Sequence, residues 1–473
     1  MPLKSFFGTP EKKEKYSLII GDMICISGVL FLCFLMQLIL KGNLAAFAGN
    51  IARLVLLTKV VAVINLVFAF VGFSLVFCLV YVPVFYITGL YEMDWLFSKK
   101  RMIVKLGAGV FIGMIIVIGL SNAGHQSIFM AEVWVFQFLS LFIVLFLWRY
   151  ARSKTLSIKK PFRIIFTGQD ILISRSTEYL NSPRLKKLFH MTSLSEDDFL
   201  RDDIPGSASV KQDYDLIVYP ITKKLSQEYL VSLVKKKFQG YSVCSSLTFF
   251  KNIAGSYPVL EVNPQWLVDS STSLALKSQF QQRIKRVLDI LLSLVGLILS
   301  MPAMLVIAGL VKMTSPGPIF FVSERLGIYR RPFRLYKFRT MIADAERQSG
   351  PVWAQKDDPR VTLLGKFLRK TRLDELPQFY NILKGNMSFI GPRPIRQFFA
   401  EKLSREFPYY FLRFYVKPGL TGWAQVSGDY GATVDEQLKK LEYEMFYIHE
   451  YSLFLDALII LKTVQHVLRA KGQ

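Results

Sequence analysis

Apolar residues are concentrated in blocks along this chain. Four long apolar runs fall in its first third, at about 17–40, 60–87, 102–121 and 129–148. Each is near or above the ~20 residues a helix needs to cross a bilayer, so the pattern predicts four spanning helices. The second is long enough to tilt or protrude. From about 160 to 265 the pattern shortens. Arg163–Gly168, Tyr214–Tyr219 and Tyr241–Cys244 read as strands, and 225–238 reads as a helix. Strands alternating with helices predict an open parallel sheet, a Rossmann-like α/β module. A fifth apolar run covers 284–312, and 435–468 is helical and amphipathic.

Charge adds topology. Lys4, Lys12, Lys13 and Lys15 precede the first run, and Lys99, Lys100 and Arg101 separate the second from the third. Arg149, Arg152, Lys154, Lys159 and Lys160 follow the fourth, whereas Ser121–Ser127 holds no Lys or Arg. The positive-inside rule puts both ends of the bundle in the cytoplasm, with Lys41 and Arg53 against the trend. Met1–Tyr16 is short and Lys-rich, and the apolar run behind it is too long for a cleaved signal, so that run reads as an anchor. Asp22, Lys59, Lys105 and Glu132 lie near span ends, which favours snorkelling or interfacial anchoring. A fifth full span would carry the basic stretch 325–339 outside and break the bias. Pro302, after Ser300 and Met301, removes a backbone donor mid-run and bends a helix there. The expectation is a re-entrant helix over 284–312 that breaks at Ser300 and Pro302 and returns to the cytoplasmic face.

The expected organisation is therefore a four-span membrane helical bundle over 1–150 and a Rossmann-like α/β domain over 160–265. A monotopic, α-rich domain with the re-entrant helix follows over 280–473.

The chain is 473 residues long, 52% hydrophobic, and carries a net charge of +24. Apolar and basic together point to a membrane protein that meets anionic lipid or anionic substrates. No zinc-finger spacing, RNA-binding aromatic signature or isolated basic tail supports a nucleic-acid partner. Cys25, Cys33, Cys78 and Cys244 form no CxxC pair and read as small apolar filler. In the middle module the first turn, Gly168-Gln169-Asp170-Ile171, has one glycine where a dinucleotide site needs G-x-G-x-x-G. A regulatory or assembly role is the plainer reading of that module.

With four histidines in the whole chain, carboxylates are the expected carriers of chemistry. Asp374 and Glu375 sit just before Pro377, which favours the first helical position. The positive end of a helix keeps a carboxylate ionised, and an ionised Asp can attack phosphorus. The neighbouring carboxylate can hold Mg2+, a hard ion. Alternation places Lys337 and Arg339 on one face of an extended segment, suited to a diphosphate. Residues 364–372 carry cations, Arg369 among them, toward Asp374 at helical spacing. Gly391-Pro392-Arg393-Pro394 is a rigid turn presenting one guanidinium, which can hold phosphate in a bidentate fork.

Residues 283–470 resemble the bacterial sugar transferases, the polyprenyl-phosphate glycosyl-1-phosphate transferases. The resemblance rests on six motifs in order. They are Lys285-Arg286-Val287-Leu288-Asp289, Tyr336–Met341, Asp358-Pro359-Arg360, Leu373-Asp374-Glu375-Leu376-Pro377-Gln378, Gly391–Pro394 and Pro418-Gly419-Leu420-Thr421-Gly422-Trp423. Four spans and a middle module ahead of them look like the long branch that starts exopolysaccharide or O-antigen synthesis. The resemblance implies transfer of a sugar-1-phosphate from a UDP-sugar to undecaprenyl phosphate at the inner membrane, with release of UMP. It implies Asp374 as nucleophile, Glu375 as support for Mg2+, and Lys337, Arg339, Arg369 and Arg393 near phosphates. Gln378 and Pro392 fall inside matched motifs, and Asp456 matches a recurrent acidic position. Four spans plus a middle module could also support a homodimer. Departures from the family pattern are Glu444 for an Asp, Arg372 for a Ser, and Ser300-Met301-Pro302 for Ser-Pro. Two other readings stand beside this one. A metal-dependent glycosyltransferase using Asp213 and Asp215 would release UDP. A non-catalytic assembly protein, with the dyad as a helix cap, would tolerate Asp374→Asn.

Overall fold

The computed structural model describes residues 10–40, 56–91, 99–123, 131–158, 161–182, 186, 189–201, 214–221, 225–259, 261, 278–342, 358–407, 409–428 and 433–468. The chain divides into two compact units, one of Met1–Phe162 with Pro183–Leu188, the other of Arg163–Ser182 with Phe189–Gln473.

The first unit is helical: α1 (Pro10–Leu40), α2 (Leu56–Ile87), α3 (Lys99–Ala123) and α4 (Ala131–Ile158). Each packs on its chain neighbours, and α1 closes on α4. Leu18, Ile26, Phe77, Tyr81, Phe85, Leu106, Val110 and Leu145 fill the centre, while Ile24, Leu79, Val104 and Val135 face outward. A helix apolar on all sides suits lipid, since its backbone polar groups are satisfied internally. Asp22 departs from the expected interfacial anchoring. It is fully buried and accepts from Arg149 Nη2, while Arg149 Nη1 donates to the Leu90 carbonyl at 2.8 Å. The fold supplies a counter-charge from α4, so this carboxylate has no need to reach water. Lys105 Nζ donates to the Gly89 carbonyl at 3.1 Å, and Glu132 is exposed. The side chain of Lys59, with Lys41 and Arg53, lies outside the described residues.

The second unit begins with β1 (Phe162–Thr167), α5 (Ile171–Leu180), β2 (Phe189–Leu194), α6 (Glu196–Arg201), β3 (Leu216–Tyr219), α7 (Gln227–Phe238), β4 (Val243–Ser245) and α8 (Ser246–Ala254). The strands form one sheet in the order β2-β1-β3-β4. β1 and β3 run parallel with Ile165 opposite Ile217, and β3 and β4 run parallel with Val218 opposite Cys244. After β1 the turn is filled from within. Asp170 Oδ1 accepts from Ile173 N at 2.7 Å, and Oδ2 from Ile221 N at 3.1 Å and Ser246 Oγ at 2.6 Å. The chain's own carboxylate thus occupies the helix N-terminus where a phosphate would bind.

Next comes α9 (Gln279–Thr314), 36 residues assigned without a break and with Pro302 inside it. With α1 to α4 it makes, among the described residues, five helices long and apolar enough to cross a membrane. Beyond it lie an antiparallel hairpin, β5 (Phe320–Leu326) and β6 (Pro332–Phe338), and then α10 (Leu363–Thr371) and α11 (Gln378–Lys384). β7 (Ser388–Ile390) pairs in parallel with β8 (Gly419–Thr421), flanked by α12 (Gln397–Glu406), α13 (Trp423–Ser427), α14 (Val434–His449) and α15 (Leu453–Leu468). Tyr257, Leu326, Ile390, Leu403, Phe414, Leu441, Met445 and Ile459 form the main core here. A smaller cluster of Ile307, Val311, Phe338 and Leu368 ties the C-terminal part of α9 to β6 and α10.

Candidate active site

Asp374 and Glu375 lie in a single 3-10 turn, Leu373–Glu375, wedged between α10 and α11. Arg372 makes the corner. It closes α10 in the left-handed conformation at φ 58°, a costly geometry for a residue with a Cβ. Both carboxylates are buried. Adjacent side chains diverge on a regular helix, yet here one lysine serves both. Lys337 Nζ, from β6, donates to Glu375 Oε1 at 2.7 Å and lies 3.9 Å from Asp374 Oδ2. Arg393 Nη2 donates to the same Glu375 oxygen at 2.9 Å. β6 is itself pinned to α11. Asn381 accepts from Tyr336 N at 3.1 Å and donates to the Arg334 carbonyl at 2.7 Å.

This grip separates the two acids. Burial pushes Glu375 up, but the charges of Lys337 and Arg393 outweigh it and hold the carboxyl far below its ordinary range. Burial also pushes Asp374 up, and there the more distant Lys337 offsets it only in part while the charge on Glu375 adds to it. Asp374 is thus the more basic of the pair. Asp374 precedes the N-terminus of α11 (Gln378–Lys384), as expected, but loss of water is the largest influence on it and shifts it upward.

Other expected site residues distribute as follows. Arg369 Nε donates to Thr340 Oγ1 at 2.9 Å, and its charge acts on Asp374. Gln378 is buried one turn beyond the dyad, and its Nε2 has no partner among the described residues. Pro392 and Arg393 sit on the turn after β7, where Gly391 is required because a Cβ there would collide with the Lys417 carbonyl. Arg339 goes elsewhere. Its guanidinium donates to the carbonyls of Ser315 at 2.6 Å and Pro316 at 3.0 Å, closing the C-terminal end of α9. β6 ends at Phe338, so strand alternation no longer governs where Arg339 points. Asp456 on α15 also stands apart from the dyad. It pairs with Lys285 Nζ at 2.7 Å and accepts from Tyr447 OH at 2.8 Å. Ser300 Oγ donates to the Leu297 carbonyl at 3.4 Å, one turn back in α9. Of the rival aspartates, Asp213 lies outside the described residues, and Asp215 Oδ2 accepts from Arg163 N at 2.8 Å.

Two motifs gain a structural meaning that the sequence alone left open. Arg286 donates to the Ile382 carbonyl at 2.6 Å and the Leu383 carbonyl at 2.7 Å, at the end of α11. Asp289 accepts from Ser388 Oγ at 3.0 Å and Phe389 N at 2.8 Å. Lys285, Arg286 and Asp289 therefore bolt α9 to the body that carries the dyad. Asp358 accepts from Arg360 Nε at 2.9 Å and Nη2 at 2.6 Å, and this bonding holds its carboxyl down at about 2.

A buried dyad held by two cations thus sits on a body bolted to a long apolar helix. Residues 280–470 match the bacterial sugar transferase family, and the chain belongs to it. Over 197 residues it is 47% identical to an Aeromonas hydrophila UDP-N-acetylgalactosamine-undecaprenyl-phosphate N-acetylgalactosaminephosphotransferase, covering 42% of this chain and 46% of that one. It is 41% identical to a Xanthomonas campestris UDP-glucose:undecaprenyl-phosphate glucose-1-phosphate transferase over 219 residues, 46% of this chain and 44% of that one. A Caulobacter vibrioides protein of that same name is 40% identical over 188 residues, 39% of this chain and 69% of the relative. The match thus spans about half the length of the first two relatives.

Proposed function

We propose that this protein transfers a hexose-1-phosphate from a UDP-sugar to undecaprenyl phosphate at the cytoplasmic face of the inner membrane, releasing UMP. This would be the first membrane step in making an exopolysaccharide, O-antigen or capsule. The observation that carries the reading is the Lys337–Glu375–Arg393 grip beside a basic Asp374, inside the region that matches the family. Asp374 is the nucleophile. Its carboxylate oxygen attacks the sugar-bearing phosphorus, and the bond to the bridging oxygen breaks with its electron pair leaving on UMP. An oxygen of undecaprenyl phosphate then attacks the same phosphorus and frees the Asp374 carboxylate. Lys337, Arg369 and Arg393 offset the negative charge that gathers around phosphorus. Glu375, held low by its two cations, stays ionised throughout and keeps them in place.

Two adjacent carboxylates fit a Mg2+ ion completed by water and substrate phosphate oxygens. Glu375 and Asp374 would hold it, and it would neutralise diphosphate charge.

The proposal includes the wider architecture: a four-span bundle over 1–150, a Rossmann-like middle module over 160–265, and a domain over 280–473 entering the membrane through a re-entrant α9. Support for the last comes from both ends of α9. Arg286 and Asp289 near its start bond α11 and β7, and its last turn bonds Arg339. Arg286 and Val311 would lie roughly 38 Å apart along a straight helix, yet one body bonds both.

The test is UMP release from UDP-glucose, UDP-galactose, UDP-N-acetylglucosamine and UDP-N-acetylgalactosamine in membranes with Mg2+ and undecaprenyl phosphate. UMP from at least one donor, abolished by Asp374→Asn, is the expected result. UDP in place of UMP, or undiminished activity in the variant, would overturn it.

A further inference from the structure

Arg393 stands between two prolines, so the Pro392-Arg393-Pro394 segment has a single backbone N–H. That N–H donates to the Glu444 carboxylate. The Arg393 carbonyl accepts from Arg413 Nη2 at 2.8 Å. Arg413 Nη2 also donates to Glu444 Oε1 at 2.7 Å, and Nη1 donates to Tyr410 OH. Arg413 and Glu444 are both almost completely buried, and the guanidinium lies 4.9 Å from the centre of the Tyr410 ring. One buried ion pair therefore holds both backbone groups of the residue whose side chain reaches Glu375.

Burial of an ion pair is costly, and a hydrophobic pair would serve stability as well or better. The location of this one is informative. Prolines limit backbone freedom on either side of Arg393 but do nothing to set its height above the dyad. The Arg393 side chain is 40% exposed, and its Nη2 reaches Glu375 at 2.9 Å. Without a hold on its backbone, a half-exposed arginine would sample many rotamers.

We propose that Arg413 and Glu444 are the positioning residues of the reaction, clamping the backbone of Arg393 so that its guanidinium meets Glu375 and the donor phosphate. Neither touches the dyad. They act through Arg393, and the inference rests on the proposed sugar-phosphate transfer for its kinetic consequence alone.

The experiment uses the full chain in lipid nanodiscs, comparing Glu444→Gln, Glu444→Asp and Arg413→Lys with wild type. Glu444→Gln keeps the shape and loses the charge, whereas Glu444→Asp keeps the charge. Two readouts are taken. The first is hydrogen exchange at the Arg393 amide, the one exchangeable backbone site between the prolines. Glu444→Gln should speed it by about tenfold or more, with distant segments unchanged. The second is UMP release against concentration of each of the four UDP-sugars. Glu444→Gln and Arg413→Lys should lower kcat about tenfold or more with KM for the donor changed far less, and Glu444→Asp should recover most of the rate. Unaltered exchange at Arg393, or full kcat in folded variants, would overturn the inference. A wild type that releases no UMP from any donor would count against the transfer reaction instead, and the exchange result would still decide the positioning role.

Discussion

At the scale of single residues, electrostatics separates the two acids of the dyad, and the separation should show in stability as well as in rate. Asp374 is buried with too little compensation, so its folded-state pKa lies above the ordinary 3.8. A raised acid costs stability above its folded pKa, and that cost disappears as pH falls through it toward 3.8. Asp374→Asn should therefore abolish UMP release yet raise stability at neutral pH by about 1 kcal/mol. The gain should shrink in acid, as chemical denaturation at several pH values would report. Lys337→Met should do the opposite to stability. It strips Glu375 of its 2.7 Å partner and leaves Asp374 and Glu375 facing each other. A loss of about 3 kcal/mol is expected, with a rate fall of about 100-fold. If both substitutions moved stability in the same direction, the assignment of a strained Asp374 beside a satisfied Glu375 would fail.

At the scale of elements, α14 is a beam loaded on two sides. Glu442 and Glu444 are two positions apart on it and so point to different sides of the helix. Glu444 holds the Arg413–Arg393 clamp, while Glu442 accepts from Arg175 of α5 at 3.1 and 2.9 Å. Arg175 also pairs with Glu261 and lies 4.6 Å from the Phe250 ring. The parallel-sheet module thus grips the helix that supports the dyad's arginine. Arg175→Ala would leave two carboxylates, one of them deeply buried, without their cation. A destabilisation of about 2–3 kcal/mol is expected near neutral pH. It should ease in acid, because Glu442 already has a raised pKa and takes up a proton first. Little of this beam was legible in the chain. The long apolar helices, most strands and the dyad show in local periodicity or contiguous motif, which need no knowledge of distant partners. β2 escaped notice because Phe189–Leu194 mixes polar and apolar residues over only six positions. The Arg339 expectation failed for a related reason: alternation predicts the side of a strand, and the strand stops one residue earlier. Arg413 and Asn381 gain their meaning from partners tens of residues away and no local pattern marks them, while Glu444 shows only as a departure from the family pattern, without its partner.

At the scale of the whole molecule, the proposed transfer needs a site that a lipid-borne acceptor and a water-borne donor can both reach. Largely exposed Leu363, with Phe367 on the same α10, stands close in sequence to the buried dyad, and Phe320 and Phe321 of the adjoining hairpin are part-exposed as well. A soluble body gains nothing from such apolar surface, whereas a body resting on a membrane buries it. The same logic bears on α9, whose Leu299 and Leu305 are largely exposed on either side of Pro302 while its two ends are bonded to one body. If α9 crossed the bilayer, one of those sets of bonds would have to lie on the far side. If it turns back, both stay on the cytoplasmic face with the dyad and with the basic residues that favour anionic headgroups. A single cysteine at Ser349, in a chain whose own four cysteines are replaced by alanine, separates the two. In intact cells it should resist a membrane-impermeant maleimide and react only after the membrane is opened. Labelling in intact cells would place the segment after α9 outside and would remove the shared face that the proposed transfer needs.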